Sequence, residues 1–113
     1  MAISNARITT GSPTAVYTSS GNNAITTIIV CNTAAGSLTS ESADSAQVNL
    51  YLVPSTQPVN DATAIVKGLI IPAGETVFFS DEKVILSNGD AVHVQAQLNG
   101  SAALTVTVST LAV

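Results

Sequence analysis

His93 and Cys31 are the only residues of their types in the chain, and either could in principle start a reaction. A histidine works as a general base when a nucleophile lies in reach and a third group orients the ring. No serine elbow and no Cys-His signature surrounds His93, which falls between Val92 and Val94 and is expected to face outward. Cys31 ends the apolar run 28–31, where a lone cysteine reads as a small buried packing residue. One cysteine permits no intrachain disulfide and leaves the redox compartment open. The carboxylates Glu41, Asp44, Asp61, Glu75, Asp81, Glu82 and Asp90 stand in or beside turns and form no block of charge, so they read as solubilising decoration. Calcium needs about six to eight converging oxygens, and no EF-hand-like spacing occurs. Phosphate-cradling glycine loops, Cys-x-x-Cys pairs and His-Glu-x-x-His are absent too. The expectation is a chain that is not an enzyme, with no catalytic residue, cofactor or metal.

Composition narrows the partners. The chain has 113 residues, 46% of them hydrophobic and 9% charged, and a net charge of -4. Its polarity comes from 14 Thr and 13 Ser instead. Such a chain is too apolar to stay disordered and buries one real core, so a single domain over residues 1–113 is expected. Lys and Arg together number 3, too few to hold a phosphate backbone, which excludes nucleic acid as a partner. No stretch approaches the length of a membrane span, and the N-terminal residues carry no signal-peptide pattern. A soluble product made in a cytoplasm is the expectation.

The apolar residues recur at every second position. Val48, Leu50 and Leu52 alternate with Gln47, Asn49 and Tyr51; Val92, Val94, Ala96 and Leu98 with Ala91, His93, Gln95 and Gln97; Leu104, Val106 and Val108 with Thr105, Thr107 and Ser109. Period two means strands with one buried and one polar face. Strands are expected at about 3–10, 14–18, 24–32, 46–53, 63–71, 75–79, 83–86, 90–98 and 103–110, with no amphipathic helix. Asn88-Gly89 marks a tight hairpin with both central residues at positive φ, and Asn99-Gly100 a second. Short strands so spaced indicate an antiparallel β-sandwich, immunoglobulin-like or jelly-roll-like, because parallel crossovers are missing. Residues 33–45, small and polar, read as a long exposed loop.

The segments Val48-Asn49-Leu50-Tyr51-Leu52-Val53-Pro54-Ser55, Leu69-Ile70-Ile71-Pro72-Ala73-Gly74-Glu75-Thr76 and Glu82-Lys83-Val84-Ile85-Leu86-Ser87-Asn88-Gly89-Asp90 carry a likeness. With Ile8-Thr9-Thr10-Gly11 and the segment from Val16 to Asn22, the chain resembles the small all-β virion structural proteins of tailed phages. The resemblance implies a structural component of the virion, synthesised in the host cytoplasm. Its place would be the capsid surface, as a decoration or cement protein, or the tail and its appendages.

A virion component of this kind would bind the major capsid protein or other virion proteins and reinforce the shell lattice. Rows of Thr and Ser suit that role, since they can be covered without the desolvation cost of charges. A homo-oligomer is expected, a trimer if it stands on an icosahedral threefold point. The contact residues singled out are Phe78 and Phe79, of which one points inward and one outward, with Leu38 in the long loop and Leu111 and Val113 at the apolar C-terminus. The competing expectation is a tail, fibre or host-attachment component that binds a bacterial surface glycan. Few aromatic residues (Tyr17, Tyr51, Phe78, Phe79) argue against a ring-stacking sugar platform.

Overall fold

Alternating side chains can bury only one face of a sheet, so this chain needs a second sheet to cover the first. The computed structural model describes residues 2–35, 44–80 and 83–113. Among them are the strands β1 (Ala2–Ile8), β2 (Thr14–Thr18), β3 (Asn23–Asn32), β4 (Ala46–Val53), β5 (Ala64–Ile71), β6 (Thr76–Phe79), β7 (Val84–Leu86), β8 (Ala91–Leu98) and β9 (Leu104–Ala112). Their limits differ from the expected ones by at most a residue or two, and a short 3-10 turn, Asp61–Thr63, leads into β5.

β1 pairs with β9, β2 with β8, β3 with both β6 and β7, and β4 with β5, always antiparallel. The chain is thus one long hairpin, bent at residues 54–63 and rolled up until its two arms form two sheets. Sheet A runs β1-β9-β3-β6 with β7 beside β3, and sheet B runs β2-β8-β4-β5. That order is a jelly roll and not an immunoglobulin-like sandwich.

Rolling also corrects the turn expectations. Asn88-Gly89 does make a turn, with Asp90 N donating to Ser87 O at 3.0 Å, but β7 lies in sheet A and β8 in sheet B. Only Gly89 has positive φ, 90°, so this is an arch between sheets rather than a hairpin. Asn99-Gly100 is likewise an arch, from β8 to β9.

The inward rows are Val48 and Leu50 from β4, Val92 and Val94 from β8, and Leu104, Val106 and Val108 from β9, all fully buried. Each contributes about 1.5–3 kcal/mol over an exposed position. Three polar residues, Ser19, Asn32 and Thr110, are buried among the described ones, and Asn32 is the most deeply set. It is 0% exposed, yet its Nδ2 donates to Asp44 O at 2.9 Å and Ile71 O at 3.0 Å, while its Oδ1 accepts from Ala34 N at 3.2 Å. One side chain thereby holds both ends of the 33–45 segment, and Ala34 is buried where exposure was expected.

Two carboxylates also tie backbone together instead of merely solvating it. Asp90 accepts from Ser87 N and Ser55 N, both at 2.9 Å, and Asp44 accepts from Ser101 N at 2.8 Å. Asp81 and Glu82 lie outside the described residues.

In the β4–β5 bend, Gln57 N donates to Pro54 O at 3.0 Å and Thr56 sits at φ 70°. That position of a type II turn favours glycine, and a β-branched residue there is strained. Relief of about 1–2 kcal/mol, less the added freedom of glycine in the unfolded chain, leaves Thr56→Gly more stable by about 0.5–1 kcal/mol. Thermal unfolding checks this, and a lower melting temperature would contradict it.

Candidate functional site

Cross-strand register sorts the outward side chains into rows, because residues opposite each other share a face. On sheet A the first row is Ile85, Ala24 and Leu111. Next come Thr27, Ser109 and Ile3, then Phe78, Ile29, Thr107 and Asn5, then Thr76, Cys31, Thr105 and Arg7. A β-bulge at Thr26 sets it beside Thr27, where its hydroxyl bonds Ser109. Period two therefore puts Cys31 half-exposed on this outer face, not in the core where it was expected.

The face is apolar and hydroxylated. Ile3 and Ile85 are each 69% exposed, Phe78 63% and Leu111 44%. Single exposed apolar residues are ordinary, but four on one face are not. Arg7 is the charged member of these rows, and it is committed to Thr33 and Thr105 hydroxyls at 2.6 and 3.2 Å. Beside them Lys83 is held by the carbonyls of Thr26 and Ser80.

Of the contact residues singled out from sequence, Phe78 and Leu111 lie on this face. Phe79 turns inward and packs on the core. Val113, 66% exposed, follows the end of β9 with its N–H on Asn22 O at 3.1 Å. Leu38 lies outside the described residues. Ile3, Ile29 and Ile85 were missed; each was visible as an apolar residue out of phase with its strand's buried set, but only register shows that they share a face.

Where β5 and the β6–β7 edge part, the two sheets leave an apolar cleft of about 530 Å³, lined by Ile25, Ile28, Leu52, Ile65, Phe79 and Val84 and rimmed by Phe78. The outer face of sheet B differs. A recess of about 460 Å³ there is lined by Gly11, Gln47, Asn49, Lys67, Gly68, Gln95 and Gln97. Lys67 turns to Asp61 at 2.7 Å, and that hydrogen bond and charge hold its ammonium above the ordinary lysine range. Both groups are largely exposed, so the pair adds little stability.

His93 sits on the same outer face, opposite Tyr51 and Ala15. Its Nδ1 is buried without a partner among the described residues, and burial pulls its pKa below the usual value. No hydroxyl or thiol among the described residues bonds its Nδ1. The shift does have a consequence for stability. The unfolded chain takes up the proton first, near pH 6.5, so His93's contribution is complete above about pH 6.5 and is lost as pH falls through the lower folded pKa. Thermal unfolding at about pH 7.5 and about pH 5 should show a smaller acid loss in His93→Gln than in the parent; equal losses would contradict this.

Among the described residues no three His, Cys, Asp or Glu side chains gather as metal ligands. No helix among them is long and apolar enough to cross a membrane. Comparison with protein-family models, with curated proteins and with solved structures gives no match.

Proposed function

We propose that this chain is a non-catalytic structural protein that works by lying against another protein surface, and that the surface is a phage shell. The observation that carries the reading is the outer face of sheet A, where Ile3, Phe78, Ile85 and Leu111 stand among Thr and Ser with little charge to desolvate. Apolar and aromatic side chains at the centre of an interface supply most of its binding energy, and hydroxyls can be covered at low cost. The partner in this reading, the major capsid protein or a neighbouring virion protein, is inferred from the resemblance of the strand and turn segments named above to small virion proteins of tailed phages. In this reading the chain is a decoration or cement protein, and many modest contacts on one lattice add up to tight attachment.

The test is the number of copies in purified particles, measured by quantitative mass spectrometry. Copies in the hundreds support a decoration protein. A few to dozens would move the chain to a tail appendage, and absence from particles would overturn the reading.

A further inference from the structure

The recess on sheet B has a chemistry of its own. Register places Gln47 opposite Gln97 and Asn49 opposite Gln95 on neighbouring strands β4 and β8. Four primary amides therefore form a two-by-two lattice, with Cβ atoms about 5 Å apart across the strands and rows about 7 Å apart along them. Each amide offers both donor and acceptor, and none carries charge.

Two of the four are held in place. Asn49 Oδ1 accepts from Gly68 N at 2.8 Å, and Gln95 accepts from the Tyr51 hydroxyl at 2.9 Å while donating to Gly11 O at 3.3 Å. Gln47 and Gln97 line the recess as well, and neither makes a side-chain hydrogen bond to another described residue. Gly11 and Gly68 form part of the walls of the recess. Gly68, at φ 73°, bulges from β5, and a Cβ there would come within 3.3 Å of Gln47 Nε2. Ile70 lies opposite Gln47 on the same outer face and is 62% exposed, an apolar neighbour just outside the lining of the recess.

We infer that this amide lattice is a binding site for a neutral glycan. A sugar ring presents hydroxyls that both donate and accept at the spacing of an amide's own two atoms, and an apolar C–H face that Ile70 can cover. A charged ligand gains little, because Lys67 is already engaged by Asp61. Without a stacked aromatic ring a single site is weak, so useful attachment requires many copies. This inference is independent of the docking face, which lies on the other sheet.

The experiment is an NMR titration of the isotopically labelled full chain with maltoheptaose, laminarihexaose, chitotetraose, a mannan oligomer and a polygalacturonate oligomer. Saturable shifts of the Asn49, Gln95 and Gln97 side-chain amides and of the Gly68 N–H are expected with at least one neutral oligomer. The Gln47→Ala/Gln97→Ala variant should bind it at least tenfold more weakly while keeping its melting temperature, and Phe78→Ala should bind it normally. Flat titrations with all neutral oligomers, binding of the uronate alone, shifts away from the recess, or an unaffected double variant would overturn the proposal.

Discussion

Replacing Asn32 by alanine should lower the unfolding free energy by about 3 kcal/mol, since it leaves buried backbone groups without partners. The side chain serves Asp44 O, Ile71 O and Ala34 N and is itself 0% exposed. In a domain of this size that loss lowers the melting temperature by about 10–20 °C. Asn32→Asp, with nearly the same shape, should do no better. Its carboxylate keeps the bond from Ala34 N but turns two donors into acceptors facing carbonyls. Denaturant unfolding of the two variants checks both statements, and a loss under about 1 kcal/mol for alanine would show that the clamp is not what holds the 33–45 segment.

The second large effect is on attachment. Changing Phe78, Ile85 and Leu111 together to serine should weaken binding to shells assembled without this chain by at least about a hundredfold, or about 2.7 kcal/mol. An exposed side chain contributes little to its own fold, so the melting temperature should stay within a few degrees of the parent. Co-sedimentation isotherms separate the two quantities. Unchanged binding by a well-folded triple variant would remove sheet A from the interface.

The strands were legible because valine and threonine alternate with little interruption, and period two admits one reading. Their partners were not. Asn88-Gly89 specifies a bend, but which sheet the chain enters next depends on which buried faces meet across the core. Asn32 looked like the last residue of a strand; its role rests on bonds 12 and 39 positions away, to Asp44 and Ile71. Asp90 looked like solubilising charge for the same reason, since Ser55 is 35 residues distant.

The sites divide in the same way. Phe78 and Leu111 drew notice as large apolar residues, one in an aromatic pair and one at the chain end, whereas Ile3, Ile29 and Ile85 acquire meaning only when register lays β1, β9, β3 and β7 side by side in that order. Gln47, Asn49, Gln95 and Gln97 were each visible as polar members of alternating strands. They become a lattice only once β4 and β8 are known to be neighbours in that register.

An image of the intact particle, sharp enough to trace this chain, tests its surface-covering role most directly. The prediction is that Phe78, Ile85 and Leu111 are covered by a shell subunit while the amide recess of sheet B points to the outside. A particle in which those three side chains face water, or in which the chain is found nowhere on the shell, would contradict it.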